Sequence, residues 1–205
     1  MIHTYFKIYK FDEKLNLIQE TPKYKSRSFV RAFLESLYPM MSPNSDTAFN
    51  IDNASSSTGT NLFVGTAGAG NTQAVPHTTI VIEEGSGRPF DLVGIVVGTS
   101  TQIVAITDFA LITKIDHGSA TGELEHWGCW TGRVNVDTGA DEASFPIERI
   151  FKNSSGGTIT INEMGIYALN TSGSPFCILR DKLTSSVAVN DGEFLKVQYT
   201  LKVAA

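Results

Sequence analysis

A mainly β fold is what this chain predicts: an antiparallel β-sandwich or jelly-roll-like body with one amphipathic helix and an extended arm towards its N-terminus. Three observations predict it. From Phe145 to the C-terminus, short apolar runs alternate with clusters of Asn, Ser, Gly and Asp, the pattern of half-buried antiparallel strands joined by turns. The run LVGIVVG at 92–98 is apolar on both parities, as a strand covered on both faces must be. Only 18% of the 205 residues are charged, so surface polarity comes from Ser, Thr, Asn and Gly, as in turn-rich β proteins.

In chain order, residues 2–11 carry Ile2, Phe6 and Ile8 on one parity and Tyr5, Tyr9 and Phe11 on the other, which predicts a strand covered on both sides. Asp12 to Asn16 supplies a turn, and Leu15 to Gln19 returns as a short second strand. Two strands alone are marginal in water, so this hairpin is expected to dock on the body or on a partner. After Pro22 the period changes. Phe29, Val30, Phe33, Leu34 and Leu37 share a helical stripe, with Ser26 or Ser28 as the N-cap and Pro39 as the stop. This helix either packs on its own sheet or docks on a neighbouring subunit, and Met40 and Met41 suit either surface.

Residues 42–79 shift to Ser, Thr, Gly, Asn and Ala, with one short strand at Leu62–Val64, and read as a surface excursion. Its GTAGAGNT run lacks the following Lys-Ser or Lys-Thr of a phosphate cradle and opens no helical pattern, so nucleotide binding is not expected. The body, 80–205, starts with strands at Ile80–Glu83 and 92–98. Another strand is expected at Thr101–Thr107, with Asp108 capping a short helical turn. ELEHWGCWTGRVNV alternates imperfectly, and Gly128 and Gly132 mark bends or bulges. Ile159 and Ile161 lie on one parity, and Met164, Ile166 and Ala168 on the other, which predicts a bulge near Asn162 and Glu163. The last strand alternates cleanly from Leu195 to Val203, one face core and one face wet.

Few residues point to chemistry. A net charge of −5 without clustered Lys and Arg argues against nucleic acid as a partner. No segment reaches the roughly 18 apolar residues of a bilayer span, and MIHTYFKIYKF lacks a signal-peptide core, so no membrane or export address is expected. No GxSxG or HExxH is present, and the four histidines are scattered singly. His126 and Cys129 point to opposite faces of a regular strand, against a shared metal ion. Trp127 and Trp130, an odd number of positions apart, likewise place at most one ring on a sugar-stacking platform. Cys129 and Cys177 form no CxxC motif; free core thiols are favoured, with a bridge open to them outside a reducing cytosol. Arg149 and Glu163 come within cross-strand reach if the NSSGG turn is symmetric about Ser155, which predicts a buried or half-buried structural ion pair. No catalytic residue, cofactor or metal ligand is assigned.

The segments ERIFKNSSGGTITINEMGIYAL, ILRDKL and VAVNDGEFLKVQYTLKV resemble a group of small structural proteins of tailed bacteriophages. LIQETPKYKSRSFVRAFLESLY and VVGTSTQIVAITDFALITKI are similar to parts of the same group. The resemblance implies a non-enzymatic virion component, assembled in the host cytoplasm, that decorates the capsid or serves as a neck or tail accessory or adaptor. Its partners would be other virion proteins and further copies of itself, with no nucleic acid and no membrane. Residues 1–41 would be the docking arm, with Phe29, Val30, Phe33, Leu34, Leu37, Met40 and Met41 as interface. The alternative is a carbohydrate- or receptor-binding sandwich on a phage tail or fibre, using loops near Gly65–Thr72 or Trp127 and Trp130.

Overall fold

Ten residues of alternating burial, β1 (Ile2–Phe11), pair along their whole length with the closing strand β12 (Phe194–Ala204), from Ile2 opposite Val203 to Phe11 opposite Phe194. The hairpin therefore docks on the body, and β1 is an interior strand of the larger sheet. In the computed structural model the residues described are 2–26, 29–31, 33–34, 49–52, 61–64, 90–169 and 175–204. The turn after β1 is closed by Asp12, whose carboxylate accepts the N–H groups of Lys14 and Asn16 at 2.9 and 2.8 Å. The chain returns as β2 (Leu17–Glu20) and β3 (Tyr24–Ser26), both on the free edge of β1.

The larger sheet runs β2–β1–β12–β9–β7, with β3 also on β1 and β8 also on β9. Here β7 is Glu125–Thr131, β8 is Asn135–Asp137 and β9 is Glu142–Lys152. A second antiparallel sheet runs β11–β10–β6, from β6 (Gly94–Gly98), β10 (Ile159–Leu169) and β11 (Pro175–Val189). One core takes side chains from both sheets, among them Ile8, Ile147, Phe151, Val197 and Tyr199 from the first and Val96, Ile161, Met164 and Val187 from the second. All five residues of β6 are buried, as its two-sided apolar pattern requires. A two-stranded ribbon pairs β4 (Phe49–Asp52) with β5 (Asn61–Val64), so the short strand at Leu62–Val64 is present. The strand expected at Ile80–Glu83 lies outside the described residues.

The NSSGG turn makes no β9–β10 hairpin. It carries the chain from the larger sheet to the smaller one, and the turn between β11 and β12 brings it back. Asn153, fully buried, ties the two crossings. Its Nδ2 donates to the carbonyls of Gly157 and Val189 at 2.7 Å each, and its Oδ1 accepts the Ser155 N–H at 3.0 Å. The expected irregularity near Asn162 and Glu163 is present: the register shifts between Ile161 and Glu163, the single Asn162 of β10 standing against Leu183–Ser186 of β11, and Met164 and Ile166 return to the core face that Ile159 and Ile161 occupy. In β12, Leu195, Val197 and Tyr199 are buried while Val203 at the strand end is exposed.

Two expectations are corrected here. Residues 101–107 form no strand; they belong to an irregular, largely exposed loop. Asp108 caps no helix. Its carboxylate accepts the Ala105 N–H at 2.8 Å while its own N–H donates to the Ala105 carbonyl at 3.0 Å, which closes a tight turn. The helix expected after Ser28 lies mostly outside the described residues; among those described, Arg31, Phe33 and Leu34 are helical.

Candidate binding surfaces

The most elaborate polar structure in the molecule fixes that irregular loop. Residues 99–112 lie over the face of the smaller sheet turned away from the larger one, residues 113–115 pair with the end of β6, and three side chains of that sheet reach up to hold the loop. Glu163, placed by the β10 bulge, accepts the N–H groups of Thr113 and Ile112 at 2.8 and 3.2 Å. Arg180, from β11, donates Nε to Glu163 at 2.8 Å, Nη1 to Asp108 at 2.6 Å and Nη2 to the Gln102 carbonyl at 3.0 Å. The Tyr167 hydroxyl accepts the Leu111 N–H at 2.7 Å. The loop sits close enough that a methyl group on Gly98 would stand 2.5 Å from the Thr113 carbonyl oxygen, and one on Gly165 would stand 2.7 Å from Leu111.

Arg180 and Glu163 are both fully buried. Burial pulls the Arg180 guanidinium down, but the hydrogen bonds and charges of Glu163 and Asp108 outweigh it and hold the group above the ordinary arginine value. Burial lifts the Tyr167 hydroxyl well above the usual tyrosine range. Arg180 and Tyr167 therefore each keep one protonation state across the physiological range, and the carboxylates of Glu163 and Asp108 are taken up in holding backbone N–H groups and Arg180. The predicted Arg149–Glu163 pair is corrected accordingly: Glu163 pairs with Arg180. The reason is topological, because β9 and β10 belong to different sheets and never face one another as hairpin partners.

Arg149 has a different occupation. Its Nε donates to the Trp127 carbonyl at 2.8 Å, and its Nη1 to the carbonyls of Val93 and Ile95 at 2.8 and 2.7 Å. It thus joins the larger sheet to the start of the β6 edge that faces away from β10. Burial lowers its guanidinium to about 10, a drop that nearby Cys129 and Asp91 oppose only in part.

The Trp127 carbonyl is free to accept because β7 bulges between His126 and Cys129. His126 stands opposite Phe151 and Cys129 opposite Arg149, so the bulge turns both residues to the same core face, contrary to the strict alternation expected of a regular strand. Among the described residues, no group of three or more His, Cys, Asp or Glu is placed to hold a metal. Both cysteines are buried and free, and burial raises both thiols. The same bulge corrects the reading of the tryptophans. Trp130 stands opposite Glu148 on the outer face of the larger sheet, and Trp127 meets Phe194 of that face edge-on at 5.7 Å. Both indoles are about half exposed, at 47% and 56%, on one surface.

Of the residues expected at an interface, Val30 is 1% exposed and belongs to the core, because the edge of β11 takes its N–H at the Ile178 carbonyl. Phe29 bridges to Leu179, and Phe29 and Phe33 stack with centroids 4.0 Å apart against the core. Leu34 is 66% exposed. Leu37, Met40 and Met41, and the Gly65–Thr72 loop, lie outside the described residues.

Sequence reasoning missed the loop as a unit. Its signal was present in Ile103 and Ile106, expected in a strand, and in Ile112, expected after a short helical turn, which stand 79%, 64% and 47% exposed. Fold and surfaces together define an all-β scaffold of two antiparallel sheets that displays a pinned apolar loop and a pair of exposed tryptophans. Comparison with protein-family models, with curated proteins and with solved structures finds no match to this chain.

Proposed function

We propose that this chain is a non-enzymatic structural protein of a tailed-bacteriophage virion, which decorates the capsid or acts as a neck or tail accessory or adaptor and binds neighbouring virion subunits. The observation that carries the reading is where the resemblance-bearing residues go. Glu163, Gly165 and Tyr167 of NEMGIY and Arg180 of ILRDKL all serve to seat residues 99–116. Their chemistry builds a surface, and a protein whose most specific residues build a surface works by binding geometry without turnover. Of the docking arm at 1–41, β1 to β3 and Val30 are committed to the chain's own body, so the part that reaches a neighbour starts at Leu34. The test is proteomic: density-purified particles of the encoding phage should contain the chain at a fixed ratio to the major structural proteins. Recovery only in the soluble lysate would reject the reading.

A second reading, a carbohydrate-binding module of a tail or fibre, is favoured by one specific observation: the β7 bulge places Trp127 and Trp130 on one exposed face. Paired indoles on a sheet face suit stacking against sugar rings. Glycan-array binding that Trp130→Ala abolishes would move weight to this reading, and an array without signal would remove it.

A further inference from the structure

We infer that Lys10 and Asn190 join in an intramolecular isopeptide bond, formed once in each chain with Glu193 as general base and acid. The inference takes nothing from the proposed function. Lys10 continues the core-facing parity of Thr4, Phe6 and Ile8 at the end of β1. Its side chain is 13% exposed and that of Glu193 14%, so both charges sit largely out of water. The Lys10 ammonium stands 3.2 Å from Glu193 Oε2 and donates to the Ala188 carbonyl at 3.1 Å. The turn between β11 and β12 sets the other partner, the Asn190 N–H donating to Glu193 Oε2 at 2.7 Å.

The Asn190 carboxamide is held at both ends. Its Nδ2 donates to Glu193 Oε1 at 3.2 Å, and its Oδ1 accepts the Thr158 hydroxyl at 3.0 Å. One carboxylate thus has one oxygen on the amine and the other on the amide nitrogen, while a separate donor marks the amide oxygen. Nucleophile, base, leaving group and oxyanion donor are gathered on four side chains. Burial raises the Glu193 carboxyl, but the hydrogen bonds of Asn190 and Lys10 outweigh it and hold the group below its ordinary value, so it rests as a carboxylate ready to take a proton.

The step balances without an outside reactant. Oε2 takes a proton from Lys10, and the freed Nζ lone pair attacks Asn190 Cγ, forming the new C–N bond. Charge moves to Oδ1, where the Thr158 hydroxyl donates. Collapse breaks the Cγ–Nδ2 bond as Oε1 hands its proton to the departing nitrogen. Glu193 then takes the second Nζ proton and passes it to the ammonia, which leaves as ammonium. Holding amine and amide on one carboxylate replaces a collision by a placement, the main gain of an intramolecular reaction. A second carboxylate, Glu148, also meets a lysine and a carboxamide, Lys196 and Gln198, but on the outer face, with the Lys196 and Glu148 side chains 27% and 21% exposed. Those two groups lie on one strand. A Lys10–Asn190 bond instead ties β1 to the far end of the chain and, like a disulfide closing a long loop, restricts the unfolded state.

Intact mass spectrometry of the purified full-length chain tests this. The folded chain should be lighter than its sequence by one ammonia, about 17 Da, and a digest should yield one peptide pair joined through Lys10 and Asn190. Lys10→Arg and Glu193→Gln should each restore the full mass, with retained β1–β12 amide protection showing that the fold is intact. Full mass in the wild-type chain would overturn the inference. So would a loss of ammonia that persists in Lys10→Arg, the mark of succinimide closure at Asn190, or one that maps to Lys196 and Gln198.

Discussion

Two arginines lie fully buried, and they are partnered in different ways, Nη2 of Arg149 being left without a hydrogen bond. Arg180 meets two carboxylates, whereas Arg149 meets carbonyl oxygens. The difference shows in their titration, Arg180 being held high and Arg149 brought down to about 10. Glu163→Gln therefore strands a buried guanidinium with one remaining carboxylate and should destabilise the fold by about 3–5 kcal/mol in denaturant titration. Asp108→Asn should cost less, because the Asp108 side chain is partly solvated. The alkaline limb follows from Tyr167 and Tyr199, whose hydroxyls burial raises well above the usual range, Asp181 adding to the rise at Tyr199. A raised tyrosine contributes stability that is whole below the unfolded value near 10 and is lost as pH climbs towards the folded one. Arg149, lowered in the fold, has the opposite sign over the same window. The thiols of Cys129 and Cys177, likewise raised by burial, act with the tyrosines from about pH 8.5, so the raised acids outnumber Arg149 and stability should fall as pH climbs from there and more steeply above about pH 10. Absorbance at 295 nm should show two of the six tyrosines ionising only as the chain unfolds. That Arg149 and Glu163 were interior charges was legible, because each shares parity with apolar neighbours. Their partners were not, since Arg180 reaches Ile103 across 77 residues of sequence.

At the scale of elements, the bulges decide which side chains meet. The β10 bulge was legible because two apolar runs of opposite parity flank Asn162. In β7 the glycine at 128 marked a bend, yet its effect on His126, Cys129 and both tryptophans depends on counting pairs against β9, which no local pattern encodes. Residues 101–107 show the converse failure. TQIVAIT has the β-branched composition of a strand, but its carbonyls are held by Arg180 and by the Arg31 N–H, which leaves the isoleucines in solvent. The seat of this loop depends on the absence of a side chain at Gly98, where a Cβ would collide with the Thr113 carbonyl oxygen and with Glu163. Gly98→Ala should accordingly speed amide exchange at Ile112, Thr113 and Ile115 by at least tenfold while leaving the β1–β12 pairs protected. Equal protection throughout would show that the loop is held in some other way.

Across the whole molecule, the fold class and most strands could be read from the sequence because alternation and turn residues are local. The distribution of strands between sheets could not. A Ser/Gly turn such as NSSGG closes a hairpin or crosses between layers with the same residues, and the choice falls to Asn153 bonding to Val189 and to the contacts of the second sheet. This distribution changes what counts as an arm, because truncation to residue 41 would remove β1 from the middle of the larger sheet. Point substitutions on the displayed surface are the sound probe. The central claim is that residues 99–116 form a surface fixed in advance for a neighbour within a virion. Covalent footprinting of the chain in purified particles, set against the free chain, tests it most directly. Protection of Ile103, Ile106 and Ile112 in the particle is the result this account predicts. Equal labelling of the loop in both states, or absence of the chain from the particles, would contradict it.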